Sequence, residues 1–508
     1  MAREIELKLA FPPEALDAVL AHPLLAGAAR QGSRKTLINT YFDTPDLALS
    51  AKRIALRTRK SGENWLQTVK CAAESFGGLS SRPEWEKAFS GEFDFSDVEA
   101  TEVRRTLEKH HAALVPLFST DFVRDTLKLE PRDGVSILVM IDRGEISAAG
   151  RQTLISELEL ELVSGDADDL LELACALASG LPLIPFDPSK AARGYQLFHD
   201  TPVTPQSSLI DPVPDDADVL DSFRQRALVC LSAWSANHHG ALSYPDPEFI
   251  HQLRVSLTRL RGLLRIFEPA LPEGFADDWR ARLQALSQSL GPLRSSQVLC
   301  DELILPATED DVDGYLPPLA RHAEQWRESA LAEVRLQLAA AGAGMLALEF
   351  HRALLALPAN SASLTGTLRR QAARHLHEKA QAQLERVCSE RSNESLHALR
   401  ILIKQLRLVC ELAPRKPHKA VSRRLRALAD LQSRLGRLND LADALPVLGR
   451  WVSSDPRFAA PVAFLTGWHA ATSLKLRRTI LRRAGLVLAD AGWQDEKAGA
   501  SRKKPSHH

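Results

Sequence analysis

The stretch EIELKL, residues 4–9, alternates without a break, with Glu4, Glu6 and Lys8 on one side and Ile5, Leu7 and Leu9 on the other. Successive side chains of an extended backbone point to opposite faces, so these residues read as a β-strand with one apolar and one charged face. Taken alone, the charged face is that of a half-buried strand wetted by solvent. The same sorting returns further along the chain. In RIALRTRKSGENWLQTVKC, residues 53–71, two alternating runs flank KSGEN, a hairpin signal with Gly62 in the turn. Arg57 and Arg59 share a face of the first run, and Thr68 and Lys70 a face of the second. Arg82, Glu84 and Glu86 share a face of SSRPEWEKAF, and further strands are expected at TLINTYFDT, GVSILVMIDRGEISAAG and RQTLISELELELVSG. In the last of these Glu157, Glu159 and Glu161 oppose Leu158, Leu160 and Leu162.

A solvated sheet face mixes Thr, Ser, Lys and Glu, whereas here some strands carry one sign of charge on a face, basic at 57–59 and acidic at 157–161. If the sheet closes on itself with these faces inward, like charges in a poorly solvated interior are costly until a charged ligand and a cation neutralise them. A polyphosphate with a divalent metal meets that requirement, because carboxylates bind a hard cation and Arg and Lys clamp phosphate oxygens.

EIELK, followed in order by YFDT, LRTRK, LQTVK, RPEWE, DRGEI, ELELEL and SKAARGY, resembles the CYTH domain of the triphosphate tunnel metalloenzymes over residues 3–198. The resemblance implies an eight-stranded antiparallel β barrel whose tunnel binds a linear triphosphate, with Mg²⁺ or Mn²⁺ as cofactor. It implies catalytic roles for Glu4, Glu6, Lys8, Glu159 and Glu161, and metal ligation by Glu4, Glu6, Glu159 and Glu161, with Glu157 and Asp142 beside them. Phosphate binding falls to Lys8, Arg57, Arg59, Lys70, Arg82, Arg124 and Lys190, with Glu84 and Glu86 lining the tunnel. For Arg82, Glu84 and Asp142 an ion pair at a barrel mouth is the alternative, and Arg193 stays unassigned. The implied reaction is hydrolysis of tripolyphosphate to pyrophosphate and phosphate by metal-activated water. No GxxxxGK[ST] loop and no nucleophile elbow is present, which leaves direct attack by water.

Past TPVTPQSSLIDPVPDDAD, residues 201–218, the apolar period becomes helical. Through residue 218 the chain holds 23 Lys and Arg against 35 Asp and Glu, and beyond it 41 against 29, so the formal net charge of zero conceals halves of −12 and +12. HQLRVSLTRLRGLLRIF from His251 and HALRILIKQLRLVCEL from His397 lie 146 residues apart, and LSQSLGPLRSS and LQSRLGRLND follow them in turn, an internal duplication. His251, Arg254 and Arg261 match His397, Arg400 and Arg407 in register, with Lys404 added in the second copy. At 100° per residue they fall in one stripe about 80° wide, opposite Leu260 and Leu406. This half resembles the CHAD domain, the conserved histidine α-helical domain, which implies two pseudo-symmetric four-helix bundles that bind inorganic polyphosphate. The implied contacts are His251, Arg254, Arg259, Arg261, His397, Arg400, Lys404 and Arg407. Thr258 stands where a basic residue is usual, and Ser295 and Ser296 replace the pattern kept as Asn439 and Asp440, so the first copy is expected to bind more weakly.

The fold expected for the whole chain is therefore α+β and multidomain, with a tunnel barrel at 1–200, a Pro- and Asp-rich linker at 201–218, a helical domain at 219–490 and a disordered basic tail at 491–508. Six scattered cysteines with no CxxC pair argue against zinc and disulfides and fit a reducing cytoplasm; the expected polyphosphate binding adds association with polyphosphate granules. No stretch reads as a signal peptide or a membrane span. Aromatics make up 6% of the chain and are not interleaved with the basic helices, so no nucleic-acid partner is expected. Two alternatives stand beside the triphosphatase: a polyphosphate-binding protein with a vestigial tunnel, and a barrel enzyme acting on thiamine triphosphate or cyclising ATP. The residues give no oligomeric state.

Overall fold

A computed structural model describes residues 3–71, 75–209, 212–361, 363–413 and 419–489; the expected basic tail lies outside the described residues. Two compact units are present, one made of residues 1–208, 227–256 and 335–357, the other of residues 209–226, 257–334 and 358–508. The boundaries do not follow the expected linker, whose residues 209–218 belong to the second unit.

In the first unit eight strands form the barrel: β1 (Arg3–Ala10), β2 (Lys35–Asp43), β3 (Ile54–Ser61), β4 (Asn64–Cys71), β5 (Leu79–Ala88), β6 (Val115–Leu129), β7 (Ser136–Ala148) and β8 (Arg151–Ser164). Pairing runs β1–β8–β7–β6–β2–β3–β4–β5 and returns to β1, every pair antiparallel, so the sheet is a closed barrel. The KSGEN hairpin forms as read, with Ser61 opposite Asn64 and Gly62 at φ 62°.

The barrel is charged inside and apolar outside. Leu7, Leu9, Ile137, Val139, Ile141, Leu158 and Leu160 face outward and are covered by Leu170, Leu171, Ala174 and Leu177 of α2 (Ala167–Ala178). Helix α1 (Thr101–His110) contributes Leu107 to a second outer cluster with Ile54, Leu56 and Val69. A third cluster, with Tyr41, Phe118 and Phe122, receives Ala191 and Tyr195 of α3 (Lys190–Phe198), the helix carried by SKAARGY. Burial of each such Leu, Ile or Val stabilises the unit by about 1.5–3 kcal/mol. The outer strand faces demand helical cover, and the inner faces are left to polar side chains.

Two longer helices begin the helical region, α4 (Val219–Ser243) and α5 (Glu248–Phe267). Within the first unit, the Gly77 N–H donates to Ser232 Oγ at 3.1 Å, and Phe186 packs on His239 with ring centroids 4.6 Å apart. There Leu348, in a helix spanning Met345–Leu355, joins the α2 cluster, and the Arg352 guanidinium donates to both carboxylate oxygens of Asp168 at 2.8 and 2.9 Å.

The second unit is all helical. After α6 (Phe275–Ser289) and α7 (Leu316–Ala339, shared with the first unit), and after the Met345–Leu355 helix, α8, come α9 (Thr365–Glu390), α10 (Asn393–Glu411), α11 (Lys419–Ser454) and α12 (Ala459–Leu488). Helices α4, α5, α6 and α7 begin at 219, 248, 275 and 316, and α9 to α12 at 365, 393, 419 and 459. The duplication therefore extends from the basic stripe to the whole helix order. Leu299, Leu303, Leu316, Leu319, Leu448 and Leu465 form one core of this unit. Residues 212–218 are fastened to it: Val213 is buried, and Asp215 accepts from Arg369 and Arg370 at 3.2 and 3.3 Å.

Gly78 has φ +84°, and a Cβ there would lie 2.4 Å from the Lys8 carbonyl oxygen. Its own carbonyl accepts the Lys8 N–H at 2.9 Å, so this close approach sets the backbone of β1. Gly78→Ala is expected to cost on the order of 1–3 kcal/mol, read as a lower urea midpoint; an unchanged midpoint contradicts the account.

Candidate active site

The inward faces of the barrel enclose a cavity of about 470 Å³. Register decides which charges meet. Glu6 lies opposite Glu161 and Lys8 opposite Glu159 across β1 and β8, while Glu4 faces Arg82 of β5. Arg57 and Arg59 of β3 stand opposite Tyr41 and Asn39 of β2, and Lys70 of β4 faces Glu84 of β5. Eight basic side chains, Lys8, Arg53, Arg57, Arg59, Lys70, Arg82, Arg124 and Lys190, line the cavity. The acidic lining is six glutamates: Glu4, Glu6, Glu84, Glu86, Glu159 and Glu161. The cationic excess suits an anion, and massed carboxylates on one wall suit a metal.

Most of these charges are paired with one another. Arg82 donates to Glu4 at 3.2 Å and to Glu6 at 2.5 Å, and Lys70 bridges Glu4 and Glu84 at 3.0 and 2.9 Å. Glu6 also accepts from Ser80 at 3.3 Å. On the facing side Arg59 donates to Asn39 at 2.9 Å and lies 3.9 Å from Glu86, while Arg57 lies 3.9 Å from Glu84 and 3.4 Å from the Tyr41 hydroxyl. Burial, with Arg57 and Arg124 nearby, lowers the Arg59 guanidinium to about 10, the direction expected where cations are crowded without matching anions.

Asp142 and Glu157 lie beneath the cavity lining and are fully buried. With Glu159 they offer three carboxylate oxygens within 4.8 Å of one another, a geometry that can hold a metal ion. The ammonium of Lys190 stands among these carboxylates: it donates to Asp142 at 2.6 Å, to Glu159 at 3.0 Å and to Glu157. Arg124 donates to Asp142 through two nitrogens, at 2.7 and 2.6 Å, and to Glu159 at 2.6 Å. Arg193 donates to Glu157 at 3.3 Å. Burial alone would raise Glu159, yet Lys190, Arg124 and Lys8 hold its carboxyl well below the usual carboxylate range. Lys190 is likewise driven up, against its burial, by Asp142, Glu157 and Glu159.

Glu161 is different. Its carboxylate makes no hydrogen bond or ion pair among the described residues, and burial together with Glu4, Glu84 and Glu6 outweighs the opposing charge of Lys70 and pushes it up to about 7. An unpaired carboxylate crowded by three others is what a hard divalent cation relieves, although among the described residues the carboxylate oxygens that already converge to metal-binding distance are those of Asp142, Glu157 and Glu159. The structure thus divides the six expected metal ligands into two groups, Glu4, Glu6 and Glu161 on one side and the Lys190-centred Asp142, Glu157 and Glu159 on the other.

Sequence reading missed Tyr41, Arg53 and Tyr195 in the cavity lining. Tyr41 was within reach of it, since it lies in YFDT and pairs in register with Arg57. Its hydroxyl is lowered by Arg57, Lys190 and Arg59 in spite of burial.

The helical residues expected to contact polyphosphate are partly engaged. Arg259 lies 3.7 Å from Glu411, Arg261 donates to Gln284 at 2.8 Å, and Arg407 pairs with Glu411 at 2.9 Å. His397 is exposed, with Nδ1 2.6 Å from Asn439 Oδ1, and Lys404 is exposed. His251, Arg254 and Arg400 are half-buried. Leu260 and Leu406 are fully buried, as the stripe required. The departure of the first copy has a structural correlate: Ser296 is buried with its hydroxyl turned to the Leu293 carbonyl at 2.8 Å, and residues 298–304 are π-helical.

A closed antiparallel barrel with a charged bore, followed by duplicated helical repeats, defines the class. The chain carries a CYTH domain, matched over residues 2–195, and a CHAD domain, matched over residues 225–448. It is 32% identical over 197 residues to an inorganic triphosphatase of Haemophilus influenzae, covering 39% of this chain and 55% of that protein. The chain thus spans about half the length of that curated relative. The crystal structure of the CHAD domain from Ricinus communis aligns over 57% of this chain and 98% of its own, with 24% identity and a TM-score of 0.49. A putative adenylyl cyclase from Hippeastrum, described as having a dominant triphosphatase activity, aligns over 40% and 98% with 18% identity and a TM-score of 0.31. Neither score reaches 0.5, and the fold rests on the strand pairing and helix order. Among the described residues no helix is long and apolar enough to cross a membrane.

The Glu161 carboxyl sits near 7 in the folded chain against an ordinary value of 4.5. The folded state therefore holds the extra proton, and its contribution is full below the ordinary value and lost as pH rises to about 7. The gain in thermal midpoint of Glu161→Gln over the native chain should be small at pH 5 and larger at pH 8, both measured in a chelator. A variant no more stable at pH 8 contradicts the crowded-carboxylate account.

Proposed function

We propose that the barrel is a divalent-metal-dependent inorganic triphosphatase that cleaves tripolyphosphate into pyrophosphate and phosphate. The observation that carries this reading is one cavity lined by a surplus of Arg and Lys, in which the Glu161 carboxylate has no hydrogen-bond or ion-pair partner among the described residues. A polyanion alone would leave Glu161 repelled, and a metal alone would leave Arg57 and Arg59 crowded. The CYTH match and the triphosphatase relative support the same class of activity.

Glu4, Glu6 and Glu161 would hold Mg²⁺ or Mn²⁺, which when bound lowers the charge on the phosphates and the pKa of water. Lys8, Arg57, Arg59 and Lys70 project from β1, β3 and β4 to grip non-bridging phosphate oxygens, with Arg82 beside them. Arg124 and Lys190 stabilise charge gathering on the leaving pyrophosphate, and the buried acids beneath hold both cations in place. The covering helices wall the bore with protein, so these pairings act in a poorly solvated space.

Glu4→Ala and Arg57→Ala should each lower phosphate release from tripolyphosphate with Mg²⁺ by on the order of 10²-fold or more. Across tripolyphosphate, long polyphosphate, ATP and thiamine triphosphate, tripolyphosphate should be turned over fastest. Turnover unchanged in both variants, or a preference for an organic triphosphate, contradicts the reading.

The helical repeats are proposed to bind polyphosphate through the basic stripe. Its support is the preserved register of His251 and Arg254 with His397 and Arg400, the exposure of His397 and Lys404, and the CHAD match. The double reversal Arg254→Glu and Arg400→Glu should abolish retention on a polyphosphate matrix while sparing triphosphatase turnover; retention unchanged removes the stripe from the account. Cytoplasmic placement and association with polyphosphate granules belong to this proposal.

A further inference from the structure

Arg82 is the cavity cation most directly opposed to metal binding. Its Nε donates to Glu4 at 3.2 Å and its Nη2 to Glu6 at 2.5 Å, so one guanidinium spans two of the three carboxylates that suit a metal. Register fixes this arrangement, since Arg82 of β5 lies directly across from Glu4 of β1. Glu6 and Glu4, with a further contribution from Glu159, raise Arg82 against its burial. The third carboxylate, Glu161, has no such cap among the described residues. A divalent cation arriving on Glu4 and Glu6 must therefore share or displace the guanidinium. Arg82 also lines the cavity where the triphosphate would lie, and phosphate oxygens offer it an equivalent bidentate partner.

We infer that Arg82 is a positioning residue that couples the binding of metal and triphosphate: the anion draws its guanidinium off Glu4 and Glu6 and so opens the carboxylates to the cation. The inference rests on the triphosphatase reading above and adds to it an order of preference, in which each ligand binds weakly alone and tightly with the other. Coupling of this kind is reciprocal, so whatever factor the anion adds to metal affinity the metal adds to anion affinity. By contrast Arg59, an equal charge in the same cavity, is held by Asn39 and lies 3.9 Å from Glu86, away from the metal set.

The test is calorimetric titration of Mn²⁺ into the full-length chain, alone and saturated with bis-methylene triphosphonate, a triphosphate mimic that cannot be hydrolysed. Arg82→Gln should bind Mn²⁺ on the order of tenfold more tightly than the native chain when no anion is present, and the enhancement given by triphosphonate should shrink by the same factor. Arg82→Lys, which keeps the charge and loses the fork, should fall between the two and serves if the glutamine variant does not fold. Arg59→Gln should leave anion-free Mn²⁺ affinity unchanged. The inference is overturned if Arg82→Gln and Arg82→Lys bind Mn²⁺ as the native chain does, or if Arg59→Gln gains as much as Arg82→Gln. Failure of triphosphonate to bind the native chain at all overturns the triphosphatase reading itself, and is read from a separate anion titration.

Discussion

The ammonium of Lys190 among the carboxylates of Asp142, Glu157 and Glu159 is the contact on which the barrel depends. Three carboxylates brought this close in a buried place repel one another strongly and lose their hydration. Lys190 and Arg124, with Arg193 beneath, return that cost through charge-assisted hydrogen bonds. Because Lys190 opens α3, the pairing also seats that helix against the barrel, next to Tyr195 and Phe122. The same ammonium lies 4.9 Å from the Phe122 ring, which adds a second attraction in the same spot. Removing one partner of such a set leaves a buried uncompensated charge, at a cost of about 3–5 kcal/mol. The acidic triad thus holds Lys190 and Arg124 in place, and the metal is proposed to bind beside it, at Glu4, Glu6 and Glu161.

An inverted barrel follows from this chemistry. Leucines and isoleucines that would fill the centre of an ordinary small barrel face outward, where α1, α2 and α8 cover them. The cover and the bore are two consequences of one alternation. A residue slip in β1 would bring Leu7 and Leu9 inward and push Glu6 and Lys8 under the helices, so packing and site chemistry reinforce the same register.

Much of this was legible in the sequence because alternation of side chains is a local property. EIELKL and SELELEL show their two faces without reference to any partner, and Gly62 marks its hairpin. The strand β6 was not found that way: Thr120 is buried on the same face as Phe118 and Phe122, and the buried side then switches to Asp125 and Leu127, so no single alternation runs its length. Arg124, which it carries, came from resemblance alone. The sequence also could not say which acids meet which bases, because Lys190 and Asp142 are 48 residues apart and only the closure of the sheet brings them together. For the same reason six carboxylates read as one metal set, where the fold sets Asp142, Glu157 and Glu159 around Lys190 and leaves Glu4, Glu6 and Glu161 apart from them. The helical half was legible through its repeat, since a duplicated His-x-x-Arg register on an amphipathic helix is again local. Where its compact units part was not, because residues 227–256 and 335–357 join the barrel by packing that no linker composition announces.

The central claim is that the bore takes up a triphosphate and a metal together. It is tested most directly by a crystal structure of the full-length chain grown with triphosphonate and Mn²⁺, with data collected at the manganese absorption edge. The account predicts an anomalous peak against Glu161, Glu4 and Glu6, with phosphonate oxygens on Lys8, Arg57 and Arg59. Manganese at Asp142, Glu157 and Glu159 in place of the Lys190 ammonium, or both ligands outside the barrel, would contradict it.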